Sequence, residues 1–252
     1  MTDESYPVGA AATAIRVIET LAANGEMGVT ELATELDLSK SAAHKHLTTL
    51  ERLEYVIGES GRYRLGLGFL SIGFAARDRL SLYRTGVTAV DDLAGTTGEI
   101  TNLMLPEHGY GVYAYQATAG RQSREWLRVG ERVHMHASAG GKAILAHVSE
   151  GCVEAILDRH GLPALTEKTR TDRGQLRGEL ASIRDRGLAF DRGESHPDWQ
   201  CVAAPVLARG SPVGAITVSG PARRMSGKTL EEDIAGLVVS ASNAIELTAL
   251  SE

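Results

Sequence analysis

The sequence predicts an α+β protein of two domains, a winged helix-turn-helix followed by an antiparallel sheet covered by helices. Three observations lead there. The chain has 252 residues, too many for one ordinary small domain and comfortable for two. Its first 65 residues run in the order helix, helix, turn, helix, hairpin. After residue 98 the hydrophobic pattern changes to strand-like runs joined by short turns. Hydrophobic residues make up 43% of the chain and charged residues 23%, which allows a packed core and argues against global disorder.

Residues 8–24 form the first expected helix, with Ile15, Ile18 and Leu21 as an apolar stripe and Asn24-Gly25 as its end. A short second helix follows, N-capped by Thr30 and buried through Leu32, Ala33 and Leu36. Asp37-Leu38-Ser39 turns the chain. Ser39 then caps a third helix over residues 40–54, whose inner face carries Ala43, Leu47, Leu50 and Leu53. Lys40, Ser41, His44, Lys45 and Thr48 are left on the outer face. Residues 55–57 and 63–65 are β-prone, with the turn signal Ser60-Gly61 between them.

A helix that exposes Lys, Ser, His and Lys from its N-terminal half suits a major groove. Its cations and free N–H groups meet phosphates and its short polar tips meet base edges, while Arg62 and Arg64 supply a second cationic contact on the wing. The net charge of −6 excludes a uniformly basic coat, and residues 1–65 alone carry −4. DNA binding must therefore rely on a local patch, with strong salt dependence. The competing reading of this order is a small protein-interaction module.

Residues 67–82 continue as a helix that leads away from the wing, with Leu67, Leu70, Phe74 and Leu82 on one side. This sets expected domains at 1–66 and 83–252, with 67–82 as the link. Residues 87–94 are helical and stop near Gly95-Thr96-Thr97-Gly98. Strands follow at 100–105, 112–116 and 125–129, then helices at 139–147, 153–159 and 173–186. Strands return at 188–191, 201–208 and 213–220. Thr229 and Glu232 make a capping-box pattern opening a last helix that carries Ile234, Leu237, Val238, Ala241 and Ile245.

The candidate chemistry lies in this second part. Ser138-Ala139-Gly140-Gly141-Lys142 opens a helix with small residues, whose free N–H groups suit a carboxylate; close helix–sheet packing explains the same residues equally well. His134 and His136 alternate on a possible strand and would need Asp191 or Cys201 to complete a metal site, so no metal or other cofactor is expected. Cys201 lacks a local base and orienting group for a thiol nucleophile. Thr217 and Ser219 share one strand face and offer two hydroxyls to a polar pocket or to solvent. Trp126 and Trp199 wall an apolar ligand or simply pack. The two cysteines fit a reduced compartment, the polar residues 1–9 lack a signal-peptide core, and no apolar run reaches the length of a membrane helix. A soluble cytoplasmic protein is expected.

Several segments in order resemble the IclR family of transcription regulators. In front are Leu38-Ser39-Lys40-Ser41-Ala42-Ala43-His44-Lys45-His46-Leu47, Leu50-Glu51, Tyr55-Val56 and Tyr63-Arg64-Leu65-Gly66. Behind come His136-Ala137-Ser138-Ala139-Gly140-Gly141-Lys142-Ala143-Ile144-Leu145-Ala146, Arg186-Gly187-Leu188-Ala189-Phe190-Asp191, Cys201-Val202-Ala203-Ala204-Pro205-Val206 and Gly214-Ala215-Ile216-Thr217-Val218-Ser219-Gly220-Pro221.

The resemblance implies a GAF-like effector-binding domain behind the winged helix-turn-helix, and a homodimer or dimer of dimers on a near-palindromic double-stranded operator. It implies DNA contacts from Ser39, Lys40, Ser41, Ala42, His44 and Lys45, with Arg62 and Arg64 on the wing. It implies effector contacts from Ala139, Gly140, Asp191, Cys201, Thr217 and Ser219, to a small organic acid, aromatic ones included. Asp198 stands where the family often has glycine, and Arg192-Gly193 replaces a common acidic residue, with Glu194 kept. The expectation is a ligand-responsive regulator and not an enzyme. The other class considered is a small-molecule enzyme or metal-binding domain fused to an interaction module.

Overall fold

A computed structural model describes residues 6–118, 128–227 and 229–249. The chain divides between Ala76 and Arg77 into two compact units.

The first unit holds α1 (Gly9–Asn24), β1 (Met27–Gly28), α2 (Val29–Glu35), α3 (Lys40–Arg52), β2 (Val56–Glu59) and β3 (Arg62–Leu65). The three strands form an antiparallel sheet in the order β1-β3-β2. Its core joins Val17 and Leu21 of α1 to Leu32, Ala33, Leu36, Ala43, Leu47, Leu50 and Val56. The stripe on α1 therefore differs from the expected one. Val17 replaces Ile15 on the buried side, and Ile15 is 54% exposed. Leu53 is also outside, 59% exposed, because α3 ends at Arg52 and Leu53 has left the helical face. The N-cap of α2 is Gly28 and not Thr30. Glu31 reaches back to accept from the Gly28 N–H at 2.8 Å, so the carboxylate does the capping from inside the helix.

The helix expected over 67–82 is two. α4 (Gly68–Arg77) stops before an extended Leu80, and α5 (Ser81–Thr97) restarts there and ends at a left-handed Gly98. None of the residues of α4 is buried.

The second unit continues with β4 (Ile100–Glu107), β5 (Tyr110–Ala117), β6 (Arg132–His134), α6 (Ala139–Leu145), α7 (Glu150–His160) and α8 (Arg173–Arg186). It closes with β7 (Ala189–Asp191), β8 (Trp199–Ala208), β9 (Ser211–Pro221) and α9 (Ala235–Ala249). The six strands make one antiparallel sheet, β6-β5-β4-β9-β8-β7. Alternation along the strands sends residues to two cores. Val202, Ala204, Ile216 and Val218 pack with α5 and α9, while Cys201, Ala203 and Ala215 pack with α6, α7 and α8. An extra residue in β5, Ala114, lets Tyr113 and Tyr115 serve opposite faces. Two hairpins turn at His108-Gly109 and Arg209-Gly210, and the wing at Ser60-Gly61, each pair with positive φ at both positions.

Of the expected strand at 125–129, residues 125–127 and hence Trp126 lie outside the described residues, and Val129 is in a turn. The strand that covers the outer edge of β5 is β6. In place of a simple capping box, Thr229–Ile234 forms a wide π-helical turn running into α9.

Candidate nucleic-acid interface and effector site

In the first unit α3 carries its polar residues where they can be used. The Ser39 hydroxyl accepts from the Ala42 N–H at 3.1 Å, while Ser39, Lys40, Ser41, His44 and Lys45 are exposed and Ala42 is half-buried. Neither lysine has an ion-pair partner among the described residues. Two solvent-facing cations thus stand on the first two turns of a helix, Lys40 at its first residue and Lys45 in the second turn.

The wing is different. The Arg62 guanidinium lies 3.2 Å from Glu26 and 3.3 Å from Glu31, and donates to the Glu26 carbonyl at 2.7 Å. The Gly28 N–H and Arg62 together hold the Glu31 carboxyl below its ordinary range. Arg62 therefore clamps β3 to the start of α2, pairing across the Gly28–Arg62 rung. Arg64 is 3.7 Å from Glu59 and half out in solvent, so it is the wing cation more open to a phosphate.

In the second unit the residues expected at an effector site gather on one face of the sheet. Asp191, Cys201 and Ser219 lie side by side across β7, β8 and β9, and Ala203 and Thr217 form the next rung. Both hydroxyl residues are fully buried. α6 covers the neighbouring rungs. A side chain at Gly140 would strike Met104 and the Thr217 methyl, at 2.8 and 2.9 Å, and one at Gly141 would strike the Met135 backbone at 2.3 Å. The two glycines thus serve close packing on both sides of α6. Nor is the helix start open: the Ser138 hydroxyl accepts from the Gly141 N–H at 3.2 Å.

Asp191 is engaged as well. One carboxylate oxygen accepts from the N–H groups of Gly193, Glu194 and Ser195, and the other from the Ser195 hydroxyl. Burial pushes its carboxyl up, against these bonds and Lys142. Its structural work is to fold the 191–195 loop.

The sequence reading missed Lys142. It is fully enclosed and pairs with Glu194 at 2.6 Å and Glu179 at 2.9 Å, joining α6 to the 191–195 loop and to α8. Arg170 meets the second oxygen of Glu179 at 2.6 Å. Burial pushes the Glu194 carboxyl up despite Lys142. The available signal was a lone cation in the small and apolar run Ala139–Leu145.

His134 and His136 do not alternate on one strand. β6 ends at His134, and His136 lies in a tight turn with Nε2 3.2 Å from the Pro163 carbonyl. Burial lowers the pKa of both. Among the described residues no three His, Cys, Asp or Glu side chains are placed to hold a metal.

The family model for the bacterial transcriptional regulator IclR C-terminal domain matches residues 74–247, and that for the IclR helix-turn-helix domain matches 10–57. The chain belongs to the IclR family. It is 29% identical to the transcriptional repressor IclR of Escherichia coli K12, over 92% of this chain and 87% of that protein. A crystal structure of the Thermotoga maritima IclR superposes with a TM-score of 0.78 at 28% identity, covering 95% of this chain and 98% of that one. An IclR homolog from Microbacterium hydrocarbonoxydans, crystallised with 4-hydroxybenzoate, shares the fold with a TM-score of 0.82 at 22% identity, over 96% and 100% of the two chains. This IclR-family chain is a transcriptional regulator with a helix-turn-helix DNA-binding domain and an effector-binding domain, and not an enzyme. No described helix is long and apolar enough to cross a membrane.

Proposed function

We propose that this regulator reads an operator in the cytoplasm through α3 and releases or holds it according to a small organic acid bound in the second unit. The observation that carries the sensing half is the enclosed polar face of Asp191, Cys201, Thr217 and Ser219 at the edge of α6. Thr217 and Ser219 each meet one internal partner and keep further hydrogen-bonding capacity, so a ligand or water is the natural second partner. Ala139 and Gly140 bound this face. Asp191 shapes the loop beside it, and Thr217 and Ser219 supply the hydroxyls. The 4-hydroxybenzoate in a relative of the same fold supports a carboxylate as the ligand class.

On the DNA side, Lys40 and Lys45 neutralise phosphates, Ser39, Ser41, Ala42 and His44 meet the groove, and Arg64 extends the contact from a wing that Arg62 holds in place. A homodimer or dimer of dimers gives two such helices to a near-palindrome. The apolar residues of the α4 region, Leu67 at 78%, Leu70 at 52% and Ile72 at 51% exposure, support self-association.

The test pairs two measurements on the 252-residue chain. A thermal-shift screen of aliphatic and aromatic carboxylates should find acids that raise the melting temperature. The same acids should change the gel shift of DNA taken from upstream of the protein's own gene. Acids that stabilise the chain without altering DNA binding defeat the coupling, and no stabilising acid defeats the ligand class.

A further inference from the structure

The sheet face beside α6 carries a one-way chain of polar side chains. Gln116, Asn102 and Thr217 stand opposite one another on β5, β4 and β9, so all three side chains leave the same face. The Gln116 amide donates from Nε2 to Asn102 Oδ1 at 2.8 Å, and Asn102 donates from Nδ2 to Thr217 Oγ1 at 3.2 Å. Asn102 and Thr217 are fully buried. Thr217 ends the chain: its oxygen accepts from Asn102, and its proton goes to no described residue. Its methyl is pinned against α6, 2.9 Å from where a side chain on Gly140 would begin. The threonine is thus fixed from both sides, methyl on α6 and oxygen on Asn102.

We propose that Gln116 and Asn102 are the positioning residues of the effector site, which keep the Thr217 proton for an acceptor oxygen of the ligand and so select carboxylates over amides and amines. This rests on the organic-acid reading above. An amide has distinct donor and acceptor ends, and the bond from Gln116 occupies the acceptor end of Asn102. Asn102 is then left facing Thr217 as a donor. A hydroxyl that accepts one hydrogen bond becomes a better donor of the next. A carboxylate oxygen takes that proton in a charge-assisted bond; an amide carbonyl takes it in a weaker neutral bond and brings an N–H where a second acceptor is wanted, and an amine leaves the proton buried and unspent. Ser219, on the same face, meets the Ile100 carbonyl only at 3.5 Å, so its hydroxyl can be recruited to a second ligand oxygen.

The test uses the 252-residue chain, calorimetric titration, and glycolate, pyruvate, benzoate and 4-hydroxybenzoate with their primary amides. Asn102→Asp replaces the donor with an acceptor, so the introduced carboxylate competes for the Thr217 proton. Affinity for the bound acid should fall roughly ten- to a hundredfold, with a smaller loss for its amide, whose carbonyl takes only a neutral bond from Thr217. Thr217→Val should give a similar loss, Thr217→Ser should restore it, and Asn102→Asp should add little in the Thr217→Val background. Gln116→Leu, at the half-buried end, frees Asn102 to turn and should lower acid-over-amide selectivity without burying a charge; it carries the test if Asn102→Asp does not fold. If the wild-type chain binds none of the acids, the organic-acid reading falls and this inference with it. If it binds them and the variants keep affinity and selectivity, the inference alone falls.

Discussion

Two serine-capped helices put their lysines to opposite uses. On α3, Ser39 caps the helix, and Lys40 and Lys45 stand in solvent with no ion-pair partner among the described residues. On α6, Ser138 caps the helix and Lys142 is fully enclosed between two carboxylates. A charge in water remains available to a phosphate and contributes little to stability. A charge taken out of water must be matched, and removing it strands its partners. The start of α3 therefore offers its lysines outward, and α6 consumes its lysine in holding three segments together.

The contrast is sharpest at Lys142. Lys142→Met should lower unfolding stability by about 3–5 kcal/mol, because Glu179 and Glu194 are left buried without their ammonium. Urea unfolding monitored by circular dichroism measures it, and a variant as stable as the wild type would erase the distinction between the two helices. Lys45→Ala should leave the urea midpoint unchanged. It should weaken operator binding roughly fivefold near physiological salt and flatten the dependence of log affinity on log salt by about one unit. Fluorescence anisotropy across a salt series gives both numbers.

The histidines beside α6 belong with Lys142, since burial again governs their charge. His134 and His136 have lowered pKa values, so the unfolded chain takes up their protons before the folded one does. Stability should be fully present above the ordinary histidine value of about 6.5 and fall as pH drops from there toward their own lowered values. Melting temperature against pH, with His136→Gln losing part of that acid-side fall, is the check. The smallest effect is expected on the wing. Arg62→Ala should change the salt slope less than Lys45→Ala, because Arg62 is committed to Glu26 and Glu31. An equal change would make Arg62 a phosphate contact.

Much of the first unit was legible because its signals are local. Ser39 as a cap, Leu47 and Leu50 as core and Ser60-Gly61 as a turn each follow from a few neighbouring residues. The misplaced stripe on α1 shows the limit, since Ile15 and Val17 are equally apolar and only the position of α2 and α3 chooses between them. In the second unit Thr217, Ser219, Cys201 and Asp191 were found as separate residues, and the sheet register brought them to one face. Asn102 and Gln116 were invisible, because their pairing depends on the register of the β4–β5 hairpin, and Asn102 meets Thr217 from a strand far away in the chain.

The sequence by itself determined the α+β class, the helix-turn-helix with its hairpin, and the cap and turn residues of the first unit. These depend on period, capping and turn chemistry over short stretches of chain. Only the tertiary structure decided which charges are spent: Arg62 on the wing clamp, Asp191 on its loop, Lys142 on two glutamates. Whether a charge is free or matched depends on what other segments bring within a few ångströms and on how much water they exclude, and neither is written in the neighbouring residues.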